Sequence, residues 1–135
     1  MPQITLTVLV VDGDALHARA IRDALAHDGH DVVVEPDPAR AAEVATRHAL
    51  DAVIVDVDLP DRSGYKLARA LRRHHLEHAA VVVGVSAEGI TVEAPEHALA
   101  IDVHLRRPIE TQFLSGLLHY LRTHRRRGET GPGER

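Results

Sequence analysis

The chain has 135 residues, a formal net charge of −4 and 44% hydrophobic residues, which predicts one globular domain with a single core. The acidic balance gives no general attraction to nucleic acid, no apolar run approaches membrane-spanning length, and the N-terminus has no signal-peptide pattern. There is no cysteine, which excludes disulfides and thiolate metal sites and leads us to expect a cytoplasmic protein.

The first strand and helix are predicted from the beginning of the chain. The apolar run from Ile4 to Val11 is typical of a buried strand, and it ends at Asp12. Asp14 is well placed to cap a helix that runs to about residue 28, where Gly29 ends it. The residues expected to form its buried stripe are Leu16, Ala20, Ile21, Ala24 and Leu25.

Two further strand and helix pairs follow. Val32 to Val34 predicts a second strand, and Asp37-Pro38 opens a helix that runs to about His48. The run from Ala52 to Val55 is short and β-branched, which favours a strand buried on both faces, and a third helix is predicted from Tyr65 to about residue 75. The residues expected to face the core are Ala41, Ala42, Val44 and Ala45 in the second helix, and Leu67, Ala70 and Leu71 in the third.

The last part of the chain is predicted to contain two strands and a final helix, with one segment between the strands that does not fit a regular helix. Ala80 to Val85 is a fourth strand and Ile101 to Leu105 a fifth, whereas Pro95 lies between them and forbids a regular helix through that segment. We expect a short helix after this proline, a single domain over residues 1–127, and a disordered polar tail over 128–135. The buried face of the last helix is predicted to be Phe113, Leu114, Leu117, Leu118 and Leu121.

Polar residues end several of the predicted strands. Alternating strands and helices indicate a parallel sheet with helices on both faces, in which all strand ends of one kind meet at one edge. Asp12 follows the first strand, Asp56 the third, Ser86 the fourth and Arg107 the fifth. Because open α/β sheets bind ligands beyond the carboxyl ends of their strands, this cluster predicts the functional site.

These residues belong to a longer pattern. Besides Asp12 and Asp56, the chain has Pro60 four residues after the second acid and Gly64 eight residues after it, and Ala87 follows Ser86. Together with Pro108, this order and spacing resemble the receiver domain of two-component response regulators, over roughly residues 7–125. The resemblance implies a flavodoxin-like (βα)5 three-layer sandwich with a five-stranded parallel sheet of order 2-1-3-4-5.

The resemblance also implies roles for the site residues. Asp56 is expected to accept a phosphoryl group from a histidine kinase or phosphotransfer protein, with Ser86 and Arg107 binding that group. Mg²⁺ is expected on Asp12, Asp56 and the backbone carbonyl of Asp58, because the crowded negative charge must be neutralised during transfer. Ser86 and His104 take the family's switch positions.

Three departures from the family pattern bear on that chemistry. Gly13 replaces a second acid that usually contacts the metal, so we expect weak Mg²⁺ binding; Asp14 is favoured as a helix cap over a metal ligand. Arg107 replaces a lysine, and His104 replaces an aromatic residue. We therefore predict an ion pair of Arg107 with Asp56 or with Asp12, whereas the Asp58 side chain is expected to face solvent.

Several alternatives stay open at this stage. The favoured function is signalling through protein contacts to a downstream target, with no enzyme activity beyond slow turnover of the aspartyl phosphate; the alternative is a phosphorylation-independent pseudo-receiver that binds proteins. A flavin or nucleotide protein is disfavoured because no Gly-rich loop follows a strand. A metal site at His74, His75 and His78 is disfavoured, and Arg125 to Arg127 is attributed to the helix dipole rather than to nucleic acid. Homodimerisation through the last two helices rests on family analogy alone.

Overall fold

The computed structural model describes residues 4–60, 63–77, 79–87 and 100–126 of the chain. The strands are β1 (Thr7–Val11), β2 (Asp31–Val34), β3 (Ala52–Asp56), β4 (Val81–Ser86) and β5 (Val103–Arg106). The helices in the described part are α1 (Ala15–His27), α2 (Pro38–Thr46), α3 (Ser63–His74) and, after a 3₁₀ turn (Thr111–Phe113), α4 (Leu114–Arg126). All strand pairs are parallel and the sheet order is β2-β1-β3-β4-β5, which confirms the predicted fold.

The sheet separates two apolar layers. Because side chains alternate along a strand, each central strand supplies residues to both layers. Helices α2 and α3 cover one face, and helices α1 and α4 cover the other. The buried helix residues on the first face are Ala41, Ala45, Tyr65, Leu67, Ala68 and Leu71, and those on the second face are Ala18, Ile21, Leu25, Leu114 and Leu118.

The predicted buried stripe of α1 is wrong at two positions. Leu16 is 79% exposed and Ala20 is also exposed, whereas Ala18 is buried. The side chain of Asp14 accepts hydrogen bonds from two backbone N–H groups of the first turn, which confirms it as the N-cap. The cap fixes where the helix begins, and at 3.6 residues per turn the face toward the sheet is then that of Ala18, Ile21 and Leu25 rather than that of Leu16.

Phe113 is a second error in the predicted core. It is 65% exposed, because it lies in the 3₁₀ turn before α4 and does not share the rotational phase of the helix. Leu114 and Leu118 are buried as predicted. Pro95 and the tail over 128–135 lie outside the described residues. No helix in the described ranges is long and apolar enough to cross a membrane.

A partly buried ionic network anchors the amino end of β5. Asp102 precedes the strand, and one of its carboxylate oxygens accepts from Arg72 Nη2 of α3 at 2.7 Å and from the backbone N–H of Val82 at 2.7 Å. Its other oxygen forms an ion pair with Arg125 of α4. The network joins two helices to the sheet, and it gives Arg125 a structural partner within the domain.

Two further polar anchors lie at the amino ends of strands. Asp51 precedes β3, accepts a hydrogen bond from the backbone N–H of Thr7 at 2.8 Å, and forms an ion pair with Arg122 of α4 at 2.8 Å. His30 precedes β2, and its Nε2 lies 2.7 Å from Ser115 Oγ in α4. These contacts attach α4 to the edge of the sheet opposite the polar strand ends.

Candidate functional site

The carboxyl edge of the sheet brings together the four strand-end residues that the sequence singles out. Asp12 follows β1, Asp56 ends β3, Ser86 ends β4, and Arg107 follows β5. Asp12 is 3% exposed, Ser86 is 5% exposed and Asp56 is 9% exposed. The backbone N–H of Arg107 donates to the carbonyl of Ser86 at 2.8 Å, which continues the pairing of β4 with β5 and holds Arg107 beside the acids.

Arg107 joins the two buried carboxylates. Its Nη2 lies 3.0 Å from Asp12 Oδ2 and 2.9 Å from Asp56 Oδ2. The predicted pairing of this arginine with Asp56 or with Asp12 is therefore confirmed, and one guanidinium nitrogen serves both partners. Nη2 carries two N–H groups, so this one nitrogen can donate to both carboxylates.

The pKa values of the two acids are shifted in opposite directions. Burial tends to raise the pKa of Asp12, but the hydrogen bonds from Arg107, His17 and the Asp14 backbone outweigh it and lower this pKa below its ordinary value of 3.8. Burial raises the pKa of Asp56 above 3.8, and the hydrogen bond from the Asp58 backbone and the charge of Arg107 only partly offset it. Asp12 is thus the strongly held partner of Arg107, and Asp56 is the less stabilised anion.

His17 belongs to the site although the sequence did not identify it. Its Nδ1 lies 2.7 Å from Asp12 Oδ2 and 2.5 Å from Arg107 Nη1. Its Nε2 is buried and has no hydrogen-bond partner among the described residues. The available signal was the Asp14 cap, because a residue three positions after the cap lies in the first turn of α1, next to the end of β1.

The loop after β3 is hydrogen-bonded both to Asp56 and to the end of β4. The backbone N–H of Asp58 donates to Asp56 Oδ1 at 2.8 Å, and Asp58 Oδ2 accepts from the backbone N–H of Ala87 at 2.6 Å. The Asp58 side chain is exposed, as predicted, but its carboxylate is bound to the residue that follows Ser86. This carboxylate therefore adds a third negative charge near Asp56.

Two positions near the site are occupied by glycine, and only one of them requires glycine for steric reasons. A Cβ on Gly64 would lie 2.2 Å from the backbone oxygen of Asp56, so close packing of α3 against β3 requires glycine there. A Cβ on Gly13 would meet only Leu59 Cδ2 at 3.9 Å, an ordinary contact. The absence of a second acid at position 13 is therefore not imposed by lack of space.

His104 lies on β5, opposite Gly84 in the register of the sheet. Its ring centroid lies 6.3 Å from that of Tyr65, and its Nε2 is buried with no hydrogen-bond partner in the part of the chain that the structure describes. Burial lowers the pKa of this imidazole below 6.5. His104 is thus a neutral ring packed on the α3 side of the sheet, and its switch role stays a prediction.

The site residues do not fit a divalent cation as their side chains lie. Carboxylate oxygens are the ligands that Mg²⁺ prefers, but Oδ2 of both Asp12 and Asp56 faces Arg107, and Gly13 contributes no side-chain oxygen. Among the described residues, no group of three or more histidine or acidic side chains is arranged to hold a metal ion. The positive charge beside the acid pair is that of the guanidinium.

The strand order and the carboxylate pair at the carboxyl edge define a flavodoxin-like α/β domain with an acidic site. Residues 8–114 match the family model described as the response regulator receiver domain, and the chain belongs to this family. The fold is also that of a response regulator from Thermotoga maritima, with a TM-score of 0.76, 23% identity, and coverage of 89% of this chain and 99% of that one.

Two further relatives are sensor kinases. The chain is 32% identical over 115 residues to the sensor histidine kinase RcsC of Salmonella typhimurium, which is 84% of this chain and 12% of RcsC; it thus spans about an eighth of that protein's length. The receiver domain of sensor histidine kinase PA1611 from Pseudomonas aeruginosa, which holds a magnesium ion in its active-site cleft, matches with a TM-score of 0.75 and 21% identity, over 89% of this chain and 99% of that one.

Proposed function

We propose that this chain is a two-component signalling receiver whose Asp56 accepts a phosphoryl group from a histidine kinase or phosphotransfer protein. The observation that carries the proposal is the position of Asp56, which ends the central strand β3 and lies 2.9 Å from the cation of Arg107. Ser86 ends the neighbouring strand β4, so a serine and an arginine lie at the same carboxyl edge of the sheet as Asp56.

The proposed reaction is an exchange of bonds at phosphorus. A carboxylate oxygen of Asp56 forms a P–O bond while the P–N bond of the donor phosphohistidine breaks, and the released imidazole nitrogen takes a proton. Transfer of this kind depends on positioning and on neutralising the phosphoryl oxygens. We assign the cationic part to Arg107 and the hydroxyl part to Ser86. Water later attacks phosphorus and restores the carboxylate, which turns over a signal rather than a metabolite.

Weak Mg²⁺ binding is part of this proposal. The PA1611 receiver holds magnesium in its cleft, and receiver domains as a family use this ion to neutralise the phosphoryl group. In this chain Gly13 supplies no acid, and both carboxylates already face Arg107. A cation would have to compete with that guanidinium, so we expect the affinity of the site for Mg²⁺ to be low.

Downstream signalling is proposed to occur through protein contacts. Two large apolar side chains near the site are exposed, namely Leu16 at 79% and Phe113 at 65%. Leu16 lines a cavity of about 300 Å³ beside Asp12, and Phe113 lines a second one of about 310 Å³ beside Pro108. Both surfaces flank the acceptor edge, where a phosphodonor protein or a target must approach.

The test is a phosphorylation assay with a small-molecule donor. The protein is incubated with acetyl phosphate, with and without Mg²⁺, and its intact mass is measured. We expect one phosphoryl adduct, absent in Asp56→Asn and retained in Asp37→Asn, a matched change at the exposed cap of α2. Absence of any adduct in the unaltered protein at high Mg²⁺ would reject the proposal in favour of a phosphorylation-independent pseudo-receiver.

A further inference from the structure

The charged and polar side chains at the carboxyl edge of the sheet form one connected cluster. Arg107 Nη2 contacts both Asp12 and Asp56, and Arg107 Nη1 contacts His17. The side chain of Asp12 is 3% exposed, those of Asp56 and His17 are each 12% exposed, and that of Arg107 is 17% exposed. Each polar contact is therefore largely shielded from water, where an ion pair is stronger than at an exposed surface.

His17 holds one end of the Asp12–Arg107 pair in either neutral tautomer. Arginine has only donors, so the contact with Arg107 requires a lone pair on Nδ1. The contact with Asp12 instead requires a proton on the same atom. One nitrogen cannot meet both requirements at once, but the imidazole binds a member of the ion pair in each case. The Nε2 atom of the same ring is buried.

We infer that Arg107 forms a built-in cationic cover over Asp56 and Asp12, and that the cover excludes divalent cations. His17 is a positioning residue that keeps the guanidinium between the two acids. The protein itself then offsets one of the two negative charges of the acid pair in the unphosphorylated state. This inference deepens the proposed function, since it gives the acceptor its charge partner, but it is measured without phosphorylation.

The space around Gly13 indicates that the charge of Arg107, and not steric hindrance, excludes divalent cations from the acid pair. Gly13 is exposed, and a side chain built on it would meet only Leu59 at an ordinary contact distance. The two carboxylates remain close enough to share one nitrogen atom. If the guanidinium were withdrawn, two acids would face each other with no countercharge, which is an arrangement that attracts a divalent cation.

The experiment is a Mg²⁺ titration of the full chain, followed by the NMR shift of the Gly13 backbone amide. We expect the unaltered protein to show no saturation at about 10 mM Mg²⁺, and Arg107→Gln to bind at least about tenfold more tightly, because a unit charge within a few ångströms of the ion is removed. Arg47→Gln is the matched control, since Arg47 is an exposed residue paired with Glu43 on α2; its titration should follow that of the unaltered protein.

His17 is tested in the same titration by two variants. His17→Leu keeps the bulk but loses both hydrogen-bonding options, so Mg²⁺ should bind several-fold more tightly. His17→Gln can donate and accept, and it should stay close to the unaltered protein. Saturation of the unaltered protein at the same Mg²⁺ concentration as Arg107→Gln would overturn the cover. Identical midpoints for His17→Leu and the unaltered protein, or an equal gain in both His17 variants, would overturn the positioning role.

These outcomes are independent of the acetyl phosphate assay. A failed phosphorylation with a confirmed cover would mean that Asp56 is neutralised but not used as an acceptor. A successful phosphorylation with tight Mg²⁺ binding in the unaltered protein would leave the proposed function intact and reject the cover alone.

Discussion

Arg107 and Asp56 form an ion pair, with 2.9 Å between Nη2 and Oδ2, although the burial of Asp56 raises the pKa of its carboxyl group. The charge of Arg107 only partly offsets this effect of burial, so the carboxylate of Asp56 is less stabilised than that of Asp12. The same nitrogen also contacts Asp12, so the loss of Arg107 would leave both carboxylates without their cation. The stability of the domain should therefore depend on this arginine.

Arg107→Ala is expected to lower the free energy of unfolding by about 2 kcal/mol, because it leaves two buried carboxylates without their countercharge. Urea denaturation followed by circular dichroism measures the loss. Arg47→Ala removes an exposed arginine that pairs with Glu43 and should cost less than about 0.5 kcal/mol. Equal losses in the two variants would mean that the site pair contributes no more than a surface pair does.

Gly64→Ala should disturb the acceptor strand. The added methyl would lie 2.2 Å from the Asp56 backbone oxygen and 2.8 Å from Val57 Cα, and neither backbone atom can move without shifting β3. We expect a loss of about 1–3 kcal/mol together with slower phosphorylation of Asp56. Gly116→Ala is the matched control, because nothing lies within 4 Å of its Cβ position in α4; it should be neutral or stabilise the fold by up to about 1 kcal/mol. A Gly64→Ala protein as stable and as reactive as the unaltered chain would contradict the close packing.

Asp58→Asn is expected to speed the reaction of Asp56 with acetyl phosphate several-fold. The Asp58 carboxylate brings negative charge toward a reaction between two anions, and it is among the groups that raise the pKa of Asp56. The amide oxygen of asparagine can still accept from the backbone N–H of Ala87, so the loop should keep its shape. The initial rate of adduct formation, read by intact mass, is the measurement. An unchanged or slower rate would show that the charge of Asp58 does not oppose the transfer.

Protonation of His30 should lower stability as the pH falls. Its Nδ1 accepts from the backbone N–H of Leu6 at 3.0 Å, which requires a neutral ring with its proton on Nε2, facing Ser115. Burial, then the nearby His119, lowers the pKa of His30 below 6.5, while three acids oppose the shift, namely Asp28, Asp31 and Asp51. Above pH 6.5 the ring is neutral in both states. As the pH falls below 6.5 the unfolded chain takes up the proton first, so the free energy of unfolding decreases in that range.

The check for His30 is a comparison of His30→Gln with the unaltered protein at about pH 7.5 and about pH 5.5 by urea denaturation. Glutamine can accept from Leu6 and donate to Ser115 without titrating, so this variant should lose less stability on acidification. His27→Gln controls for the other histidines, because the side chain of His27 is 89% exposed. Parallel losses in all three proteins would show that His30 does not carry the pH dependence.

The sheet and the position of Asp56 at its carboxyl edge were predictable because they depend on local patterns. Apolar runs define the strands, and the polar residue that ends each run must lie at the carboxyl edge once the strands are parallel. Even the pairing of Arg107 with the acids followed from charge, since removing one acid and supplying an arginine leaves few other ways to neutralise the site.

The contribution of His17 was not predictable from the same patterns. It depends on the rotational phase of α1, which the Asp14 cap sets, and on how closely the first turn approaches Arg107 from another strand. The same phase error placed Leu16 in the core. The bond from Ala87 to Asp58 likewise depends on loop geometry, which apolar periodicity does not describe.

The polar anchors at the amino ends of the strands bear on how substitutions affect this domain. Asp102, Asp51 and His30 attach α3 and α4 to the sheet, at the edge farthest from Asp56. The described contacts of these anchors do not include Asp56 or Arg107. A substitution among them should therefore weaken the attachment of α3 and α4 without removing the ion pair at the carboxyl edge.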